Sequence, residues 1–191
     1  STWPVHSGVL VNDGVAYAAA GIIDYDGTYV YALDAKTGKM IWLNDETGHL
    51  DPELRKGVSA QGGLALAGGR LWMPGGNVVS PAVFDLQTGD YLGDKPGTGA
   101  PRTNRGEEIG VFGDEHLVLG GRLRFSATKN VVNPGYFGIH RLAEGGIADG
   151  QQLQRGKIPP VWDDRFLVLL SGEQGRPVWY NASEVEAALS A

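Results

Sequence analysis

Three observations predict an all-β chain built from repeated antiparallel units. Short apolar runs closed by glycine occur four times, spaced by roughly 50 residues. An Asp-x-x-Thr-Gly turn follows the first two of them at the same offset. Glycine makes up 30 of the 191 residues, about twice its usual share of ~7%, with no collagen period. Repeated four-stranded units of this size are the blades of a β-propeller. The expected fold is therefore all-β, with about four such blades in this chain.

The elements follow in order. In the first unit a strand over 9–12 enters a turn at Asp13-Gly14, and residues 15–20 form the next strand. Residues 29–33 run into the Asp34-Ala-Lys-Thr37-Gly38 turn, and residues 39–42 leave it. Asp can accept hydrogen bonds from backbone N–H groups two residues on, and Gly takes the position with φ > 0, which makes this sequence a hairpin. The second unit repeats the device: strands over 64–67 and 70–74, then Val83-Phe-Asp85-Leu-Gln-Thr88-Gly89 and a return over 90–92. The third unit places strands over 109–112 and 115–119, and the fourth over 160–162 and 165–170. Val15, Leu71, Leu117 and Phe166 mark the equivalent strand in each. The blades expected from these markers span 8–57, 58–106, 107–156 and 157–191. Ser183-Glu-Val-Glu186 has the pattern of a capping box and predicts a short helix after the last strand.

Composition narrows the function classes. With 42% hydrophobic and 20% charged residues the chain can build a packed core. No apolar run reaches the ~18 residues of a membrane span. A net charge of −6 lacks the basic footprint of a nucleic-acid binder. The absence of cysteine removes disulfides, thiolate catalysis, Cys-ligated zinc and Cys-bound iron–sulfur clusters from this chain. There is no Gly-x-Ser-x-Gly elbow. The pairs Gly62-Gly63, Gly68-Gly69 and Gly75-Gly76 are not followed by the Gly-Lys-Ser/Thr of a phosphate loop. His6, His49, His116 and His140 stand apart from one another, so no metal site is expected. Asp24-Tyr-Asp26-Gly27 opens like a calcium loop but lacks the late Glu that completes one.

Four stretches break the strand rhythm: 44–57, 94–106, 125–135 and 143–150. Loops of this length on a rigid scaffold are where binding commonly sits. A second candidate comes from alignment on the strand markers. The first strand of each blade enters at one face around a common axis, so equivalent positions converge. His6, Gln61, Arg105, Glu107, Glu108 and Lys157 fall just ahead of those strands and are the candidate axial ligand site, a funnel of mixed charge.

The first turn adds a family resemblance. Ala32-x-Asp34-x-x-Thr37-Gly38-Lys39-x-x-Trp42 is similar to the tryptophan-docking motif of quinoprotein alcohol dehydrogenase-like propellers, the pyrroloquinoline quinone (PQQ) repeat proteins. In the second unit Asp85, Thr88 and Gly89 match, but Gly93 stands where the tryptophan would be. The third and fourth units do not carry the motif, so the resemblance covers about residues 8–93. It implies a ring of seven or eight blades, of which this chain would hold about half. The remaining blades would come from a longer parent protein, a second copy or another polypeptide, unless the ring is an incomplete one. It also implies an extracytoplasmic bacterial setting. The family contains dehydrogenases that use PQQ with calcium or a lanthanide, an Asp base and usually a vicinal Cys pair. The Cys pair is absent here, and the Asp base and metal ligands cannot be matched residue by residue. The family also contains propellers that bind no quinone and act as scaffolds. The expected function is thus a non-catalytic binding or scaffold propeller without a cofactor, taking a small-molecule or peptide ligand. A PQQ- and calcium-dependent oxidoreductase segment is the alternative.

Overall fold

The computed structural model describes residues 4–23, 25–76, 79, 81–93, 108–112, 116–120, 124–126, 131–133, 135–143, 146–147, 151–156, 161–162, 166–171, 176–181 and 183–184. The first sheet is a four-stranded antiparallel meander of β1 (Val5–Asn12), β2 (Val15–Ala20), β3 (Tyr29–Asp34) and β4 (Met40–Asn44). Asp13 (φ 47°) and Gly14 (φ 78°) both take the left-handed region, and Asn12 pairs with Val15. This is the two-residue hairpin loop whose twist matches the strands it joins. The second sheet uses the same loop. Gly68 (φ 59°) and Gly69 (φ 69°) connect β5 (Ala65–Ala67) to β6 (Arg70–Met73), and β7 (Ala82–Asp85) completes the three strands. Where the first sheet has β4, the second has, among the described residues, a bridge between Phe84 and Tyr91.

The third sheet departs from the expected four strands. It contains β8 (Glu108–Phe112), β9 (His116–Gly120), β12 (Gly135–Ala143), β13 (Gly146–Ile147) and β14 (Gln151–Gly156), with β12 at its centre. Two of the stretches expected to interrupt the strand rhythm contain strands instead. Across 125–135, β10 (Arg124–Ser126) and β11 (Val131–Asn133) pair as a hairpin. Across 143–150, β13 folds back on the end of β12, with Leu142 paired to Ile147. Phe125, Val131, Val132 and Ile147 are strand formers in these polar stretches. A fourth sheet holds β15 (Val161–Trp162), β16 (Phe166–Ser171) and β17 (Arg176–Asn181). Ser183 and Glu184 are helical, and the rest of the expected C-terminal helix lies outside the described residues.

The core lies between consecutive sheets. Tyr17, Val30, Ala32 and Trp42 of the first sheet pack against Leu71, Met73, Ala82 and Phe84 of the second. The opposite face of the second sheet buries Ala65, Trp72 and Val83 against Ile109 and Val111 of β8. Side chains alternate across each strand, so Leu71 and Met73 face one neighbour while Trp72 faces the other. Full burial of side chains this large contributes roughly 1.5–3 kcal/mol each.

The two Asp-Thr-Gly turns fix the sheet register. Val15 pairs with Asp34, and Arg70 pairs with Asp85. Arg70 is therefore the counterpart of Val15, one residue from the Leu71 used as the sequence marker.

Candidate functional site

The best-defined constellation joins the first two sheets. Asp34 Oδ1 accepts hydrogen bonds from the Lys36 N–H (3.1 Å), the Thr37 N–H (2.7 Å) and the Thr37 hydroxyl (2.7 Å). Asp85 Oδ1 does the same with the Gln87 N–H (2.8 Å), the Thr88 N–H (2.9 Å) and the Thr88 hydroxyl (3.3 Å). The Thr37 hydroxyl and N–H hold the Asp34 carboxyl below the usual carboxylate range, and the Thr88 and Gln87 N–H groups do so for Asp85. Hydrogen bonds to the charged form favour ionisation. Gly38 (φ 68°) and Gly89 (φ 78°) then reverse the chain.

Trp42 bridges from the first sheet to the second turn. Its Nε1–H donates to the Leu86 carbonyl at 3.1 Å. Two residues on, the Asn44 amide donates to the Gly89 carbonyl at 2.9 Å. The indole lies so close to Gly89 that a Cβ there would stand 2.5 Å from Trp42 Cε3. Tyr17 packs on the indole from its own sheet, with ring centroids 6.1 Å apart.

The 44–57 insertion is a tied structure rather than a free loop. Asn44 Oδ1 accepts from the Thr47 N–H and hydroxyl, a 3-10 turn spans Thr47–His49, and Asp51 and Lys56 bridge. Gly48 and Gly57 meet so closely that a Cβ at Gly57 would stand 2.0 Å from the Gly48 oxygen. Residues 58–60 then run buried between the sheets. The Val58 N–H donates to Thr47 O (2.9 Å), the Ser59 N–H to Gly75 O (3.0 Å) and the Ala60 N–H to Gly21 O (2.6 Å). The buried Thr28 hydroxyl donates to the Val58 carbonyl. The Ser59 hydroxyl is buried without a hydrogen-bond partner. Sequence reasoning missed this seam; its one local signal was Asn44-x-x-Thr47, a side-chain-capped turn.

At the outer end of the same loops Tyr25 (φ 73°) meets His49 edge-on at 4.7 Å and lies under the Arg55 guanidinium at 5.0 Å. His49 and Arg55 are exposed. The backbone N–H of Asp26, Tyr25's neighbour, donates to the Ile23 carbonyl at 3.2 Å.

Of the axial candidates, three fall in the described residues. His6 lies exposed near the start of β1, and Glu108 lies exposed at the start of β8. Gln61 stands four residues before β5, half-buried, and its amide donates to the Ile22 carbonyl at 3.2 Å. His6 is the second residue of β1, Glu108 the first of β8, and Gln61 precedes β5; β1, β5 and β8 are all edge strands. Once Arg70 is aligned with Val15, His6 and Gln61 are counterparts. Gln61 ties one loop to another. Arg105, Glu107 and Lys157 lie outside the described residues.

Calcium binding needs six to eight oxygen ligands, and no group of three or more His, Asp or Glu that could hold a metal ion forms among the described residues. No reaction step is therefore assigned to the described residues. No helix among the described residues is long and apolar enough to cross a membrane.

No protein-family profile matches the chain. No curated protein matches it. Solved structures do. BamB from Moraxella catarrhalis superposes with a TM-score of 0.51 at 17% identity, over 95% of this chain and 51% of its own. The quinohemoprotein alcohol dehydrogenase from Comamonas testosteroni gives 0.50 at 20% identity, over 81% of this chain and 22% of its own. This chain thus spans about half of one protein and about a fifth of the other. Both are β-propellers, and the fold of this chain is that of a β-propeller present in part.

Proposed function

We propose that this chain is a non-catalytic segment of a PQQ-repeat propeller, acting as a binding or scaffold module within a larger bacterial extracytoplasmic protein. The observation that carries this reading is the closed join between the first two sheets. Trp42 and Asn44 clasp the Asp85–Gly89 turn, and residues 58–60 fill the seam. In this reading the turn residues Ala32, Asp34, Thr37, Gly38, Trp42, Asp85, Thr88 and Gly89 are the family's blade-docking motif. The four sheets are successive blades, and further blades complete the ring. Ligand recognition is assigned to the axial positions His6, Gln61, Arg105, Glu107, Glu108 and Lys157, where a small molecule or peptide would meet groups of both signs.

The alternative is a segment of a PQQ- and calcium-dependent oxidoreductase. The likeness to an alcohol dehydrogenase favours it, although fold alone does not carry function. Calorimetric titration of the chain with PQQ in the presence of calcium separates the two. The scaffold reading expects no heat beyond dilution. Saturable binding near one quinone per chain replaces it with the dehydrogenase reading.

A further inference from the structure

β4 is an end strand of the first sheet, and no described strand hydrogen-bonds to its outer side. Its pairing with β3 decides which backbone groups it leaves over. The Asp34 N–H donates to the Lys39 carbonyl at 2.8 Å, so Asp34 turns its backbone groups towards β4. That direction alternates along a strand. Ala32 and Val30 therefore turn the same way, towards their partners Trp42 and Asn44. Tyr31 and Leu43 lie between those pairs and form the pair without hydrogen bonds. The N–H and C=O of Leu43 accordingly face out from the sheet.

The side chains along this edge are apolar and in solvent. Met40 is 56% exposed, Ile41 52% and Leu43 37%. An edge of that kind is a template for another strand, and proteins blunt it with charges or bulges. The bulge here is one residue, Ile41, between the Leu33–Met40 and Ala32–Trp42 pairs. The charges stand at the two ends instead of along the middle. Lys39 is exposed just before β4, and Asp45 and Glu46 are exposed just after it. Among the described residues no ion pair or side-chain hydrogen bond engages any of the three. The edge is thus positive at one end, negative at the other and apolar between.

Such a strip is its own complement when reversed. A two-fold axis at Leu43 sets β4 antiparallel to the β4 of a second copy. The two Leu43 residues then exchange both N–H···O=C bonds across the axis. Trp42 and Asn44 keep their bonds to Leu86 and Gly89. The bulge takes up one residue, so Lys39 of each copy comes level with the Asp45–Glu46 pair of the other, once at each end. A parallel arrangement would instead set Lys39 against Lys39 and acid against acid.

We infer that the outer edge of β4 is a homodimer interface, in which two copies of this chain join edge to edge into one continuous antiparallel sheet. The contact runs backbone to backbone and is held in register by Lys39 of each copy against Asp45 and Glu46 of the other. It uses the rim of the sheet, not either of its faces, so it stands whether or not further blades complete a ring. One short strand pair buries little area, and the dimer is therefore a reversible one.

The test is sedimentation equilibrium of the chain over a concentration series at low salt. The expected result is a mean mass that rises from 20.3 kDa and levels at twice that value, with the dimer weakened by added salt because its ion pairs are exposed. Lys39→Glu should raise the dissociation constant by roughly tenfold or more, since it sets like charges together at both ends. Adding Asp45→Lys and Glu46→Lys to that variant should restore the parent value. Leu43→Lys places two ammonium groups on the axis and should abolish the dimer. Melting curves check that each variant is folded. A single-chain mass at every concentration overturns the inference, as does growth past two copies. So does a dimer indifferent to Lys39→Glu or to Leu43→Lys, or one that the triple charge exchange fails to restore.

Discussion

Gly38 and Gly89 occupy the same turn with nearly the same backbone, φ 68° and φ 78°, so a matched pair of alanine substitutions isolates one contact. In either variant the new Cβ must be held in the left-handed region, at a cost of roughly 1–2 kcal/mol. At Gly38 nothing lies within 4 Å of that Cβ, and the cost ends there. At Gly89 the Cβ would lie 2.5 Å from Trp42 Cε3 and 2.7 Å from Cδ2. The indole cannot swing aside without losing its bond to Leu86 O and its packing on Tyr17. Overpacking of this kind adds roughly 1–3 kcal/mol. For a chain of this size each 1 kcal/mol moves the melting temperature by about 2–4 °C. Gly89→Ala should therefore melt ~2–12 °C below Gly38→Ala in matched calorimetric or circular-dichroism scans. In a Trp42→Ala background the two glycine variants should cost the same, because the obstacle is gone. Equal melting temperatures in the wild-type background would refute the clasp as the join between the sheets.

Other consequences are as direct. Trp42→Ala should lose about 3–5 kcal/mol by urea titration, the cost of truncating a buried aromatic. Ser59→Ala should leave stability unchanged or raise it by up to ~1 kcal/mol, because the hydroxyl it removes is buried without a partner; a clear loss would show that the hydroxyl is satisfied after all. Thr28→Val should cost about 1–3 kcal/mol in the same assay, leaving the Val58 carbonyl without that donor. Asp34 and Asp85 have folded-state pKa values below their unfolded values. Their contribution is complete above the unfolded value of about 3.9 and is lost as pH falls through the folded one. A pH series of melting temperatures should thus show a fall below about pH 4 that is shallower in Asp34→Ala; an identical slope would remove Asp34 from the explanation.

The strands were legible because their signals are local. Asp13-Gly14 and Gly68-Gly69 each specify a two-residue loop, and the apolar runs beside them have nowhere else to go. The Asp34 and Asp85 turns were legible for the same reason, since the bonds to each Asp carboxylate and the backbone bonds that close each turn lie within five residues. The seam was not legible. Gly57-Val-Ser-Ala60 has no period, and its burial comes from Gly21, Thr28, Thr47 and Gly75, which approach it only in three dimensions. The 125–135 hairpin was hidden by its polar tip. Trp42 could be singled out by its motif, but its partner Gly89 is distant in sequence and carries no side chain to signal the contact. Of the axial set, His6, Gln61 and Glu108 were legible as positions at or just ahead of the starts of edge strands; whether such positions converge is settled by the rotation between sheets, which no local pattern encodes.

The strap over residues 58–60 sets where this chain can change length. Its three N–H groups are committed in turn to Thr47, Gly75 and Gly21, one in its own loop, one just past β6 of the second sheet and one just past β2 of the first. Adding or removing one residue within it would move each donor to the wrong acceptor and point the buried Val58 the opposite way. Just upstream the Asp51–Lys56 bridge encloses a tip at 52–55 that is exposed along its whole length. Among divergent relatives, insertions and deletions should therefore collect at that tip and spare the strap. The connector between the first two sheets thus behaves as two mechanically separate parts, a fixed tie that sets the spacing of the sheets and an adjustable surface that can diverge without disturbing it.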